Sequence, residues 1–364
     1  MRRAALFILF ALLLALPCRA EISKAQSDAL GVPALEQAVP RSAAEAAGSL
    51  SVSASFSVRD KLDEIWSSFV GDLTAHIKSG AVSAVSVLVI AVVCALASAV
   101  FDGGSLPQYI NLAGCLAVSY SAVGDVNSLV SISRDALQTL SDFSRALLPT
   151  LCAAAASSGA VTSAGAKYAA TALFMDVLIT LSNTVIVPLI YAYIVSAAAF
   201  SALGNPAIGS IMKLIKWLCV TLMTALTLAF TAYLSITGAV SGAADAAVTK
   251  AAKATISAAL PVVGGIISDA ASSVVAGAGL LRGAIGAFGM VVICAVCAAP
   301  FAALGARYLL YKAAAACASA LPAGRIPELI NGIGTACGML LGLVGSGAIM
   351  LFLSVISSVK AVGL

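Results

Sequence analysis

From residue 80 onward the chain alternates long apolar runs with short polar breaks. Runs at about 80–101, 109–123, 169–200, 214–236, 284–304 and 329–356 approach or exceed the ~20 residues a helix needs to cross a bilayer. The second of them is the weakest. Two further stretches have apolar residues at helical spacing with a charged opposite face. In 58–77 the apolar side is Leu62, Ile65, Trp66, Phe69, Leu73 and Ile77. In 126–148 it is Leu129, Ile132, Leu137, Leu140, Phe143 and Leu147, set against Arg134, Asp135, Asp142 and Arg145. The pattern predicts an all-α polytopic membrane protein with six spans. The 58–77 helix is expected to lie at the outer membrane surface, and the polar stretch before it to be flexible.

Two shorter segments share a pattern at an offset of 112 residues. Leu148-Pro149 runs to Ser158-Gly159 and Ala164-Gly165, and Leu260-Pro261 runs to Ser272-Ser273 and Ala276-Gly277. Pro188 and Pro300 keep the offset, as do Lys213 and Arg325, and 239–260 carries an amphipathic stretch with Asp245, Lys250 and Lys253 that parallels 126–148. This predicts an internal duplication of a Pro-initiated unit plus two transmembrane helices, the working site lying between the halves. Proline costs nothing at a first helical turn, and Ser157-Ser158-Gly159 can then break the helix while hydroxyls bond the freed carbonyls. Each segment thus fits a re-entrant hairpin or a thin crossing of about seventeen residues. The first makes the halves parallel and the second makes them inverted, and the distribution of Lys and Arg does not choose between them. The expected boundaries are a signal peptide at 1–20, an exported polar segment at 21–79, two spans at 80–125, and repeats at 126–238 and 239–364.

Composition sharpens the class. Only 10% of residues are charged and mean hydropathy is +1.06, against about 25% charged in soluble domains. The net charge of +4 is carried by scattered residues, which is no nucleic-acid footprint. Arg2-Arg3, the apolar run 4–16 and Ala20 have the layout of a cleaved secretory signal; Cys18 follows Pro17, a poor lipoprotein context. Most cysteines lie in apolar runs, where cysteine acts as a small hydrophobe. That reading includes the Cys294–Cys297 pair in VVICAVCAAP.

Candidate functional residues follow from what membranes tolerate. Asp176 and Asp269 lie within or beside apolar runs, where a carboxylate is expensive and faces a cavity or partner. With Pro149, Ser157, Ser158, Gly159, Pro188, Pro261, Gly277 and Pro300 they form the candidate path-lining or gating set. Lys167 and Arg282 read as interfacial anchors, and Arg307, Lys312 and Arg325 as a basic loop. Gly334, Gly338 and Gly342 repeat GxxxG on one helix face, a close-packing device. The single histidine, His76, has no ligand company, and there is no GxxxxGK[ST] or GxSxG, so no enzyme, metal or cofactor is expected. Any energy source comes from a gradient or another subunit.

The runs LLPTLCAAAASSGAVTSAG, SNTVIVPLIYAYIVSA, KLIKWLCVTLMTALTLAFTAYLSITGAVSGAADAAVTKAAK and, above all, ALPVVGGIISDAASSVVAGAGLLRGAIG resemble the stage III sporulation protein AE family of endospore formers. The similarity covers about 140–356. The resemblance implies a multi-pass protein of the mother-cell membrane around the forespore, in a complex likened to a secretion apparatus or feeding channel. It implies ring-forming partners and a separate ATPase from the same operon, and a need for the protein in late forespore gene expression. It supplies no catalytic or ligand residue. The reading it favours is a permease-like channel subunit; a passive membrane scaffold and a stand-alone solute transporter are the alternatives.

Overall fold

A computed structural model describes residues 27–52, 57–101, 105–159, 161–259 and 264–360, without the side chains of 161–163, 238–278 and 360. The expected signal peptide and Pro261 lie outside the described residues, as does the side chain of Asp269. Two short helices, α1 (Val32–Gln37) and α2 (Arg41–Ala47), precede the long ones: α3 (Val58–Val100), α4 (Leu106–Ser157), α5 (Val161–Leu181), α6 (Val187–Leu203), α7 (Pro206–Ala259), α8 (Gly264–Ser319) and α9 (Ile326–Lys360). A π-helical turn, Ser182–Ile186, joins α5 to α6. No strand occurs among the described residues. Six helices or helix pairs are long and apolar enough to span a membrane.

The antiparallel hairpin α8–α9 forms the centre. The most apolar windows of α8 and α9 are 67% and 61% buried, against 22–33% in the other four spans. Close approach is built from glycine. A Cβ on Gly334 would sit 3.2 Å from Tyr311, and one on Gly338 would sit 3.1 Å from the Tyr308 ring. The GxxxG face therefore packs α9 against α8 within the chain. Its third member, Gly342, faces Met223 of α7 at 3.9 Å. α4 runs antiparallel along α8: Gly289 meets Leu147, and Arg307 meets Asp125. Gly347 of α9 packs against Leu137, Leu140 and Leu178, which fixes the heights of α4 and α5 beside the last span.

Several sequence expectations change. The 58–77 stretch is no separate surface helix. Ser57 caps it by accepting from the Asp60 backbone N–H at 3.4 Å, and it continues without a break through the first span. At 1.5 Å per residue the 43 residues of α3 make a rod of about 65 Å, twice the hydrocarbon thickness. Its N-terminal half lies along α8 and α9, where Leu62, Ile65, Trp66 and Phe69 share a cavity of 670 Å³ with Cys294, Cys297, Phe301 and Phe352. The 126–148 stretch is likewise continuous with the second span, in the 52-residue α4. Charges on an outward face leave the i→i−4 ladder intact, so neither charge cluster ends a helix. The polar segment before α3 is ordered in its described part. Leu35 and Ala47 are fully buried, and the Val52 N–H donates to Glu36 Oε1 at 2.6 Å.

The described residues do not confirm the duplication expected at the 112-residue offset. Pro149 sits inside α4 rather than at a first turn, and the break comes at Ser158 and Gly159, where Gly159 has φ +96°. There the chain folds back: Cys152 Sγ donates to the Ala164 carbonyl at 3.1 Å. This is a helix, a break and a return, with arms that are full-length helices. It excludes a lone seventeen-residue crossing for the first segment. In the second segment Gly277 continues a helix, within α8. Pro188 follows the π turn at the first turn of α6, whereas Pro300 lies inside α8. The extra residue of a π turn relieves the clash that proline makes with the preceding turn. The break at Gly204-Asn205-Pro206 is as expected: Gly204 has φ 69° and donates to the Phe200 carbonyl, a left-handed C-cap.

Gly338→Leu should cost about 1–3 kcal/mol by overpacking the α8–α9 contact. Thermal unfolding of the detergent-purified chain should show a clearly lower Tm. Gly305→Ala, whose added Cβ meets nothing within 4 Å, should leave Tm unchanged or slightly raised.

Candidate functional site: a polar seam on an apolar bundle

The Ser158-Gly159 turn is tied down rather than open. Ser157 Oγ bonds the Ala153 carbonyl at 2.9 Å, four residues back. Ser158 Oγ donates to the Ala155 carbonyl at 2.8 Å and accepts from Arg282 Nη1 at 3.2 Å. Lys167 and Arg282 are buried, at 3% and 2% exposure, and not interfacial anchors. Lys167 Nζ donates to the Ser357 carbonyl at 2.6 Å, and Arg282 Nη2 donates to the Val359 carbonyl. Two cations from different helices thus satisfy orphan carbonyls at the C-terminus of α9 and complement its negative dipole end.

A second polar cluster joins three helices. The Asp125 carboxylate accepts from Arg307 Nη1 at 3.1 Å and from the Tyr311 hydroxyl at 2.8 Å. Arg307 also donates to Ser83 Oγ at 3.2 Å. The pair is 17% and 16% exposed, and Tyr311 is 1% exposed. Arg307 and Lys312 therefore belong to α8, not to a basic loop; of the three residues only Arg325 sits in the turn before α9. Asp125 escaped the sequence reading because it borders a run of apolar residues. The available signal was Arg307 and Tyr311 at i, i+4, one helix face needing one acceptor.

The most unusual surface runs between α4 and α5–α6. Asn127 Oδ1 accepts from the Tyr191 hydroxyl at 2.8 Å. Further along, Arg134, Asp135, Gln138, Ser182 and Asn183 line a cleft of 230 Å³. The Ser182 hydroxyl, in the π turn, is buried with no hydrogen-bond partner. The seam continues through Asp142, which accepts from Gln138 at 3.0 Å and pairs with Arg145 at 3.5 Å. Asp176 lies seven residues before Asn183, two helical turns along the same face, and is exposed. The depth is fixed by Gly347, near the middle of the apolar run of α9, which packs against Leu137, Leu140 and Leu178 of the same two helices. Charges and amides thus stand exposed at the level of the apolar run of the last span. Lipid tails cannot solvate such groups.

Of the predicted site residues, the seam gathers Asp176 and the π turn that precedes Pro188. Ser157, Ser158 and Gly159 form the turn at the far end of the same two helices, and Pro149 is exposed on α4 nine residues before it. Pro300 is half-buried inside α8, away from the seam. Helical spacing puts Arg134, Asp135 and Asp142 on the charged face of an amphipathic helix but carries no information on which helix that face lies beside.

The model of the family described as stage III sporulation protein AE matches residues 51–361. The chain belongs to the stage III sporulation protein AE family. It is 23% identical over 233 residues to stage III sporulation protein AE of Bacillus subtilis (strain 168), covering 64% of this chain and 58% of that relative. The chain therefore matches little more than half the length of that relative. No solved structure matches. The family match takes in the turn clamp, the Asp125–Arg307–Tyr311 cluster and the seam alike.

Asp125→Asn should remove the countercharge of Arg307 in this half-buried cluster and cost about 1.5–3 kcal/mol, the worth of a hydrogen bond to a charged group. Replacing both, Asp125→Leu with Arg307→Met, should recover most of that loss. A double-mutant cycle by thermal unfolding in detergent checks this; additive losses would show that the pair is not coupled.

Proposed function

We propose that this chain is the membrane-embedded, permease-like subunit of the channel complex linking mother cell and forespore. It sits in the mother-cell membrane around the forespore, assembles with ring-forming subunits and a separate ATPase encoded with it, and does no covalent chemistry itself. The observation that carries the reading is the α4/α5–α6 seam. Its Arg134, Asp135, Gln138 and Asn183 need water or a polar partner at mid-span, and a conducting path supplies water there. The π turn supports the same assignment, since such turns concentrate at functional sites. Asp176 and Pro188 belong to this path-lining set. Pro149, Ser157, Ser158 and Gly159 close the end of the α4–α5 hairpin and set its position.

A passive scaffold that recruits the ring proteins would use the same seam as a dry contact. The two readings differ in water. With the native cysteines replaced, Gln138→Cys and Asn183→Cys should react with a membrane-impermeant thiol reagent in sporulating cells, whereas Leu228→Cys, on the lipid-facing side of α7, should not. Arg134→Glu should lower a late forespore reporter in fully engulfed forespores at least several-fold. Full protection of both seam cysteines overturns conduction in favour of the scaffold. Normal reporter activity in a strain lacking this gene overturns both.

A further inference from the structure

On the opposite side of the bundle, α7, α8 and α9 enclose a second groove with a different character. It has a volume of 510 Å³, within the range of about 300–1,000 Å³ typical of ligand sites. One end holds Lys216 of α7 and Lys312 of α8; Val220, Leu228 and Ile349 edge the length and Met223 and Met339 form its floor. The groove has depth because Gly338 and Gly342 bring no side chains into it.

The polar demand of this groove is concentrated at one end. Three of the hydroxyls along it bond their own helix: Thr227 the Met223 carbonyl at 2.9 Å, Thr335 the Asn331 carbonyl at 2.9 Å, and Ser346 the Gly342 carbonyl at 2.9 Å. The two lysines are different. Lys312 Nζ donates to Asn331 Oδ1 at 2.6 Å and Thr335 Oγ1 at 2.9 Å, both neutral, and lies over the Tyr308 ring. Lys216 is exposed. Neither is in an ion pair among the described residues, and no carboxylate lines the groove. Two positive charges thus meet a long apolar trough and lack an anion. Lys216 to Leu228 is twelve residues, about 18 Å of helix, close to one leaflet of a hydrocarbon core of about 30 Å. Val220, Leu228 and Ile349 are 44%, 63% and 49% exposed, so the trough opens sideways to lipid.

We propose that this groove holds one anionic glycerophospholipid, its phosphate against Lys216 and Lys312 and an acyl chain over Gly338 and Gly342. The site is independent of the seam and needs no sporulation partner.

Trp217 provides the probe. It follows Lys216, shares the face of α7 that carries Thr224 and Leu228, and is 61% exposed. The chain has two tryptophans, so Trp66→Phe leaves Trp217 as the sole reporter. The full chain carrying that change is reconstituted in phosphatidylcholine vesicles with increasing brominated phosphatidylglycerol or brominated phosphatidylcholine. Bromine quenching should show phosphatidylglycerol favoured at least about fivefold, the worth of one lysine near an anionic lipid. Lys216→Gln with Lys312→Gln should remove the preference. Gly342→Leu, which fills the trough and keeps both lysines, should also remove it.

Equal quenching by the two lipids overturns the proposal. So does a preference that survives Gly342→Leu, which would place the lysines at an open surface, or one abolished by sodium phosphate at constant ionic strength, which would mark a phosphate site. Shielding of Trp217 from both lipids would assign the groove to another protein helix and overturn it equally.

Discussion

The contact between α8 and α9 is the constraint on which the other helices depend. Gly334 and Gly338 let the backbone of α9 approach Tyr311 and Tyr308 with no intervening side chain. In lipid, where helix association has no hydrophobic driving force, this kind of close packing holds a bundle together. The hairpin then offers its flanks to the rest of the chain. α3 and α4 lie along α8, α5 and α6 lie along α9, and α7 closes the remaining side. Lys167 and Arg282 add a lock at the C-terminus of α9, and Asp125, Arg307 and Tyr311 add a second one further along.

With the centre so apolar, each kind of polar group has its own solution. Hydroxyls bond their own helix four residues back, as Ser133 does to the Leu129 carbonyl, which lets them sit in an apolar setting at little cost. Buried charges converge on carbonyls or on each other. The groups with neither solution stand along α4 and α5–α6, and at the lysine end of the α7–α9 groove. Those are the two places where the molecule asks for something beyond itself, water or a partner at the seam and an anion at the groove. The long rods extend the same logic. α3 carries one helix from the polar stretch beginning at Arg59 into the apolar run of the first span, so movement at its N-terminal half is coupled to the membrane.

Much of this was legible in the chain. Helical spacing gave the buried face of 126–148: Leu129, Leu137, Leu140, Phe143 and Leu147 are all in the core, whereas of the 58–77 face only Ile65 is buried, and Leu62, Trp66 and Ile77 are exposed. The Gly204-Asn205-Pro206 stop was legible because a left-handed cap needs glycine and a following proline cannot continue the helix. Less legible were helix ends marked only by charge or proline. Pro149 reads as a start, yet a helix with neighbours to hold it passes through an interior proline. The repeat expected at 112 residues rests on such marks, and one pair of them, Pro188 and Pro300, occupies different positions relative to its helices.

The sequence by itself determined the solvent and the class: long apolar runs with few charges can only be helices in a membrane, since every backbone N–H must be satisfied within its own segment. It also determined which face of each helix is apolar and where glycine permits close approach. Tertiary structure alone decided which polar residues meet. Asp125 and Arg307 are 182 residues apart, Arg134 and Asn183 line one cleft from neighbouring helical segments, and Lys216 and Lys312 face one groove from different helices. Periodicity fixes a side chain's angle about its own helix, whereas its neighbours across the gap depend on the axial register between helices. That register is set by side-chain packing along the whole α8–α9 hairpin, which no local pattern encodes.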